Sequence, residues 1–433
     1  MPPRTREKFL PHLVDPHEPV DSVQHYKIIG PGLVVAATGI GAADLVATLV
    51  AGSRYGYGLL WAVVLGVIMK IVLVEGAGRY SLATGRTIFE GWRTLGPWTT
   101  WYFGPYILIW GFVYGATGMS AAAMPLAVLF PILPLWAWAI VMGLLGFGMV
   151  WLGKYRAIEK IMAVLVGLMF LLIVGLAIYT LPHLPDLVAG LLPLIPAGGI
   201  TYTLALAGGV GGTITLAAYG YWLREKGWAS PRFMRIMRLD NRLAYVVSGI
   251  FVTATLILGV EVLYTAGLTV SSGDKGLLDL AQVLQDRYGL LMGKLFLLGF
   301  WAASFSSVVG VWSGVSLMFA DFWAQVRQLP AGHPDSRTGG KYFKFYLLWI
   351  TFPPMLLLLL DSPIFLILLY GVLGALFMPF LAGTLLWILN TARVPQNWRN
   401  GWFANITLAI CTILFSILGI YQVFEAVGKA LGS

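Results

Sequence analysis

Two glycine-rich segments carry the clearest chemical signal in this sequence: residues 38–44 (TGIGAAD) and residues 208–213 (GGVGGT). Both lie within long apolar stretches. Glycine destabilises a helix interior by about 1 kcal/mol relative to alanine, and an unpaired backbone group in hydrocarbon costs several kcal/mol. A membrane helix therefore breaks only where its amides and carbonyls gain other partners. Two such breaks, at corresponding places in two halves of a chain, predict the central site of an inverted-repeat transporter.

The rest of the chain predicts the membrane scaffold that positions these segments. Of 433 residues, 58% are hydrophobic and 11% are charged, whereas soluble domains contain about 25% charged residues. The sequence therefore predicts an all-α polytopic membrane protein. Stretches long and apolar enough to cross a bilayer fall at 30–52, 57–79, 100–129, 132–152, 158–181, 200–223, 243–268, 290–320, 343–360, 364–390 and 402–425.

The placement of charge predicts the orientation of these eleven spans. The net charge is +9, and most of the 28 lysines and arginines lie in segments on one side of the predicted membrane. The positive-inside rule assigns that side to the cytoplasm. We therefore expect a cytoplasmic tail at 1–27, a transmembrane domain at 28–426 and an external tail at 427–433. Orientation accounts for the basic excess, so no nucleic acid is expected.

The segments between spans are short. The stretches 224–242 and 327–342 are predicted cytoplasmic loops, and 269–288 is predicted to be external. Within the external stretch, the pattern of apolar and polar residues from Asp274 to Arg287 predicts an amphipathic helix. The single cysteine, Cys411, excludes a disulfide framework.

Several segments resemble the Nramp family of metal-ion transporters, in order and with matching spacing over nearly all of 28–425. They are 30–32 (GPG), 51–57 (AGSRYGY), 153–156 (GKYR), 302–307 (AASFSS) and 400–405 (NGWFAN). The resemblance implies the Nramp version of the LeuT-like fold. In that fold two inverted five-helix repeats, here about 28–182 and 198–390, are followed by an eleventh helix, here about 402–425.

The sequence departs from the family at the positions that bind metal. Nramps carry Asp-Pro-Gly-Asn in the first break and Met-Pro-His in the sixth span, but the matching residues here are 41–44 (GAAD) and 215–217 (TLA). Methionine sulfur favours Mn and Fe ions over Mg and Ca, and threonine has no sulfur. All five histidines lie in tails or loops, which excludes an imidazole ligand in the membrane. We therefore expect no transition-metal site.

Hard oxygen ligands for a coupling ion remain. In sodium-coupled relatives of this fold, a carbonyl and two hydroxyls of the eighth span complete a sodium site with carbonyls of the broken first helix. The run at 303–307 matches the required spacing of an alanine and two serines. The resemblance therefore implies a Na⁺ site formed by Thr38, Gly41, Asp44, Ala303, Ser306 and Ser307.

Lys70 is a second charged residue placed deep within a predicted span. Charged side chains inside spans are functional candidates, and a lysine near the middle of a helix cannot easily extend to the interface. We interpret Lys70 as a substrate-binding charge or as a partner of Asp44. The alternative is a structural ion pair with Glu75 or Glu261.

Two substrates fit this centre. The favoured one is a small oxyanion such as bicarbonate, imported with sodium, because the half-helix after Gly212 presents free amides and about +0.5 charge at its amino end. The alternative is a hard divalent cation, Mg²⁺ or Mn²⁺, held by Asp44 and carbonyls. The centre offers a single carboxylate beside a lysine, which favours the anion. Its predicted binding residues are Gly209, Gly211, Gly212, Thr213, Thr215, Lys70 and Tyr219.

Other functional classes have less support. A non-transporting sensor or scaffold is the second alternative, but such a protein is expected to carry a large soluble output domain. The sequence contains no nucleophile–base–acid set and no nucleotide motif, so it is not expected to be an enzyme. No cofactor is expected beyond Na⁺ as the coupling ion. The expected partners are a small inorganic ion and the lipid bilayer, and the expected oligomeric state is a monomer.

Overall fold

A computed structural model describes residues 30–153, 155–180, 182–209, 212–267, 274–360 and 363–430. Every regular element in these residues is helical. The α-helices are α1 (Pro31–Gly39), α2 (Ala42–Tyr55), α3 (Leu60–Thr84), α4 (Ile88–Arg93), α5 (Trp98–Leu129), α6 (Leu135–Leu152), α7 (Tyr155–Tyr179), α8 (Leu184–Ala189), α9 (Ile200–Gly209), α10 (Thr215–Glu225), α11 (Met234–Leu258), α12 (Asp274–Tyr288), α13 (Leu290–Val326), α14 (Lys341–Thr351), α15 (Pro363–Ile388) and α16 (Trp402–Ala430).

The helices confirm the predicted arrangement of membrane spans. Eight helical stretches of the described residues are long and apolar enough to cross a bilayer. The first and sixth predicted spans are each split, into α1 with α2 and α9 with α10. Together, α1 to α7 supply the five spans of the first repeat and α9 to α15 those of the second. The eleventh span, α16, packs along α15.

The helix α13 lies at the centre of the bundle. It contacts α5, α6, α7 and α14 as well as the broken helices α1 and α10. In its most apolar stretch 83% of the residues are buried, against 28% in α6. A helix that is apolar on all sides is buried, and α13 therefore forms the wall against which both breaks are held.

The seventh span begins earlier than the apolar pattern predicted. We predicted its start at 243, but α11 begins at Met234, so the second half of the predicted 224–242 loop is helical. Its first turns are amphipathic, and they bury Asp240 and Asn241. Asn241 Nδ2 donates to the carbonyl of Ile71 at 2.8 Å. Because a hydropathy window penalises polar residues, it misses a helix whose polar side chains are buried and paired.

Two further elements follow directly from local sequence. The predicted amphipathic helix is present as α12, which buries Leu280, Ala281 and Leu284 and packs on α13. The ninth span changes from α14 to a 3-10 helix at Pro353–Leu360. Two adjacent prolines, Pro353 and Pro354, supply no amide donor and cannot continue an α-helix.

Candidate functional site

The first break is two residues long. The helix α1 ends at Gly39, Ile40 leaves the helical region with φ −91° and ψ 82°, and α2 begins at Ala42. The last carbonyls of α1 are thus released from the helix, where they carry the negative end of its dipole. This is the break predicted from 38–44, now located at Ile40 and Gly41.

The second break separates α9 from α10. The helix α9 ends at Gly209, and α10 begins at Thr215 without a side-chain cap. Gly212 has φ +90°, a conformation that glycine adopts without strain. Gly208 belongs to α9 and serves packing, since a methyl group there would lie 2.7 Å from Phe415 Cε1. The density of glycine in 208–212 thus reflects both a break and a helix contact.

The two breaks approach each other closely. A Cβ atom built on Gly212 would lie 2.8 Å from Gly39 Cα and 2.7 Å from Thr215 Oγ1. Thr213 faces α15, where a Cβ on Gly374 would lie 3.1 Å from Thr213 Cγ2. The structure therefore brings Gly212, with Thr215 beside it, to the end of α1, and places Thr213 against α15.

The serines of α13 lie against the carbonyl end of α1. Ser307 Oγ donates to Thr38 O at 2.6 Å, and Ser306 Oγ lies 2.8 Å from Ala303 O and 3.4 Å from Ala37 O. A Cβ on Gly41 would lie 3.5 Å from Ser307 Oγ. Five of the residues predicted for the coupling ion (Thr38, Gly41, Ala303, Ser306 and Ser307) thus meet at one place. The carbonyl of Ala37 joins them and was not predicted.

We call Ser306 and Ser307, with the carbonyls of Ala37, Thr38 and Ala303, the serine cluster. An aromatic side chain and close packing of the backbone enclose it. The hydroxyls of Tyr114 and Ser307 share a hydrogen bond of 2.7 Å. A methyl group at Gly310 would overlap the Thr38 side chain. At this point α1 and α13 therefore pack too closely for any side chain larger than that of glycine. The oxygens of the cluster are therefore held in place from three helices, which favours a defined coordination geometry.

Lys70 reaches the second break. Its side chain is fully buried, and Nζ donates to the carbonyl of Gly212. Nζ also lies 3.8 Å from Met378 Sδ and 5.9 Å from the centre of the Phe415 ring. A positive charge is thus placed at the unwound segment of the sixth span.

The two glutamates considered as partners of Lys70 have other partners. Glu75 accepts from Arg79 at 3.0 Å and from Arg238 at 2.9 Å. Glu261 accepts from the hydroxyl of Tyr57 at 2.6 Å. The alternative of a structural ion pair for Lys70 with either glutamate therefore has no support from these contacts.

The remaining predicted site residues are Asp44, Gly209, Gly211 and Tyr219. Asp44 belongs to α2, but its side chain lies outside the described part of the chain, as does the whole of Gly211. Gly209 is the last residue of α9. Tyr219 is not brought to the breaks: its hydroxyl donates to Asp240 Oδ2 at 2.9 Å and lies 3.2 Å from Met237 O.

Asp240 is a structural residue that the sequence analysis missed. Its carboxylate accepts from the amides of Gly30 at 3.0 Å and Gly32 at 2.6 Å, at the amino end of α1. It is almost completely buried, and a carboxylate at a helix N-terminus pairs with free amides and the positive end of the dipole. Asp240 therefore anchors α1 to α11, with Tyr219 as a third donor.

Transition-metal ligands do not gather in this region. Within the described side chains, no group of three or more His, Cys, Asp and Glu residues could hold a metal ion. Among the side chains and backbone groups that the structure describes, those that meet at the breaks are carbonyls, hydroxyls and the Lys70 ammonium, and the Met378 sulfur lies 3.8 Å from that ammonium. This set of groups suits hard ions and anions better than soft metals.

Comparison with known proteins places the whole membrane domain in one family. The family model "Natural resistance-associated macrophage protein-like", Nramp, matches residues 32–425. The chain is 30% identical over 311 residues to the Divalent metal cation transporter MntH of Chromohalobacter salexigens, with 67% of this chain and 69% of that protein covered. It is 26% identical over 310 residues to the MntH of Bacillus subtilis, covering 67% and 70%.

Solved structures agree with the fold. A crystal structure of a mutant of the Eremococcus coleocola manganese transporter superposes with a TM-score of 0.78 at 16% identity, covering 96% of this chain and 90% of that one. The same protein in complex with an aromatic bis-isothiourea compound gives a TM-score of 0.78 at 15% identity. The LeuT-like arrangement of two inverted repeats with an eleventh helix is thus confirmed. The chain belongs to the Nramp family of multi-pass membrane transporters.

Proposed function

We propose that this Nramp-family protein is a secondary transporter that imports a small oxyanion such as bicarbonate together with Na⁺. The observation that carries the proposal is the buried ammonium of Lys70 on the carbonyl of Gly212. At a separation of about 8 Å and an effective dielectric constant of about 20, one unit charge attracts an opposite one by roughly 2 kcal/mol. A divalent cation at the same place is repelled by roughly twice as much.

The second break supports an anion in another way. The amino end of α10 has no side-chain cap, so its first amides and the positive end of the dipole face the break. The hydroxyl of Thr215, at this end of α10, is buried and has no hydrogen-bond partner among the described residues. Uncapped amides and a hydroxyl donor provide the kind of site that binds small anions at helix N-termini.

The first break supports sodium as the coupling ion. Carbonyls of Ala37, Thr38 and Ala303 and hydroxyls of Ser306 and Ser307 meet at the negative end of α1. These are hard, neutral oxygen ligands, which suit a monovalent hard cation. The end of α1 that attracts a cation and the end of α10 that attracts an anion would thus lie side by side. The charge of each bound ion would then be partly neutralised by the charge of the other.

Uptake into proteoliposomes tests the proposal directly. Purified protein is reconstituted, and entry of labelled bicarbonate, Mg²⁺ and Mn²⁺ is measured under imposed Na⁺ or H⁺ gradients. We expect saturable bicarbonate uptake that an inward Na⁺ gradient accelerates. Uptake of a divalent cation without bicarbonate uptake would overturn the proposal.

Removing the charge of Lys70 is expected to weaken the transport of an anion, whereas it would speed the transport of a divalent cation. Lys70→Gln retains an N–H donor for the Gly212 carbonyl but removes the charge. We expect the KM for bicarbonate to rise by roughly 30-fold, corresponding to about 2 kcal/mol. The exposed Lys294, changed to Gln in the same way, is the control and should leave KM unaltered. Faster Mg²⁺ or Mn²⁺ uptake in Lys70→Gln, with no effect on bicarbonate, would contradict an anion site.

A hard divalent cation is the second candidate substrate. Two observations favour it: the curated relatives are named as divalent metal cation transporters, and Asp44 occupies the start of α2. In this case Mg²⁺ would be bound by Asp44 and carbonyls, with part of its hydration shell retained.

Binding of an ion without any uptake would instead support the sensor function. We place the protein in the bacterial inner membrane as a monomer with a cytoplasmic amino terminus.

Binding of transition metals provides an independent check on selectivity. Purified protein titrated with Mn²⁺ or Cd²⁺ should give no saturable isotherm in the micromolar range, because the described centre contains no group of metal-ligating side chains. Isothermal titration calorimetry makes the measurement, with a curated MntH relative as the positive control. A micromolar Mn²⁺ isotherm that is lost in Asp44→Ala would show that a transition-metal site is retained.

A further inference from the structure

Two buried tryptophans next to the breaks have indole N–H groups without an acceptor. Trp110 of α5 is 1% exposed and Trp312 of α13 is 0% exposed. Neither Nε1 atom has a hydrogen-bond partner among the residues that the structure describes. An indole nitrogen can only donate, and a buried donor without an acceptor destabilises a protein. Such groups therefore call for a functional explanation.

Both indoles belong to one aromatic cluster, which is formed by Trp110, Tyr114, Trp312 and Tyr370. Tyr114 lies at its centre, with ring centroids 4.7 Å from Trp110, 6.2 Å from Trp312 and 5.4 Å from Tyr370. Tyr370 is also 6.2 Å from Trp110. The cluster thus connects α5, α13 and α15.

The aromatic cluster adjoins both breaks. The hydroxyl of Tyr114 bonds to Ser307, which in turn donates to Thr38 O at the end of α1. Tyr370 lies four residues before Gly374 on α15, and Gly374 faces Thr213 of the second break. Residues four apart share a helix face, so the cluster and the second break lie one helical turn apart.

We propose that the indole N–H groups of Trp110 and Trp312 bind the transported oxyanion, an assignment that rests on the proposed function. Donors without lone pairs can bind an anion but cannot ligate a cation. The ring of Trp110 stacks on the ring of Tyr114 with an interplanar angle of 6°. The face of the indole that contacts Tyr114 is therefore covered and cannot make a cation–π contact. The free edge of the indole is the part that remains for a ligand.

Neutral donors suit a site that must also hold sodium. A second lysine or an arginine beside the serine cluster would repel Na⁺, whereas an indole carries no net charge. Indole donors therefore add affinity for the oxyanion without lowering affinity for its coupling ion.

Single Trp→Phe variants test the assignment. Trp110→Phe and Trp312→Phe each remove the donor and keep an aromatic ring. Trp349→Phe is the matched control, because its Nε1 already donates to Leu108 O at 3.1 Å. The measurements are the KM for bicarbonate in proteoliposomes and the shift of the melting temperature caused by bicarbonate in detergent. A hydrogen bond to a charged partner supports an expected rise in KM of roughly tenfold or more for each variant.

The outcomes separate this inference from the proposed function. We expect Trp110→Phe and Trp312→Phe to fold, to raise the KM and to lose the bicarbonate-dependent stabilisation, which measures binding to the native state. Bicarbonate transport with unchanged KM in both variants would overturn the inference and leave the proposed function intact. Stabilisation by bicarbonate that depends on both indoles, without uptake, would support the inference and overturn the transport proposal. Neither uptake nor stabilisation in the wild type would overturn both.

Discussion

Replacing Gly212 with valine is expected to abolish transport of every ion while the protein still inserts in the membrane. A side chain at this position meets Gly39 Cα at 2.8 Å and Thr215 Oγ1 at 2.7 Å, and the backbone has φ +90°. Cβ atoms in proteins do not lie within 3.0 Å of such atoms, so a side chain at position 212 would push the two breaks apart. A β-branched residue at positive φ adds further strain. Uptake in proteoliposomes measures the loss, with size-exclusion chromatography as the check on folding.

Gly227 offers a matched control for the effect of backbone conformation. It has φ +88°, and a Cβ built there meets nothing within 4 Å. Gly227→Val therefore introduces the same backbone strain without the approach of two broken helices. We expect it to lower stability but to retain transport. Equal losses in the two variants would indicate that backbone strain, and not contact between the breaks, explains the effect at Gly212.

Removing both hydroxyls of the serine cluster is expected to eliminate the stimulation of transport by sodium. In Ser306→Ala with Ser307→Ala, two of the five oxygens around the end of α1 are lost. A hydrogen bond or ligand contact to a charged partner contributes about 1.5–3 kcal/mol. The apparent affinity for Na⁺ should therefore fall by roughly two orders of magnitude or more. Bicarbonate uptake as a function of Na⁺ concentration provides the measurement.

The same helix provides the control for this double change. Ser313 and Ser316 are also buried serines of α13, and neither takes part in the contacts of Ala37 and Thr38. Ser313→Ala with Ser316→Ala should leave sodium dependence as in the wild type. If the Ser306 and Ser307 variant retains full sodium dependence, the serine cluster is not the coupling site. Loss of sodium dependence in the control would point to a general defect of α13.

The sequence by itself determined the scaffold and the location of its two breaks. Apolar stretches of sufficient length predict membrane helices because the bilayer imposes both length and composition. Clusters of glycine predicted the interruptions that the structure places at Ile40–Gly41 and between Gly209 and Thr215. The resemblance of 303–307 to the eighth span of sodium-coupled relatives implied that Ser306 and Ser307 would face the first span. These features depend on local sequence and on the solvent, which a linear pattern records.

Only the tertiary structure decided how buried polar groups are paired. Lys70 and Gly212 are 142 residues apart, and Gly30 and Asp240 are 210 apart. The apolar pattern placed Asp240 in a loop, and we predicted Tyr219 to bind the substrate, whereas the folded chain joins the two side chains at the start of α1. The indoles of Trp110 and Trp312 gave no signal in the sequence, since an unpaired donor and a paired one have the same composition. Which donors and charges find partners depends on long-range packing, and in this protein that packing determines the polarity of the centre.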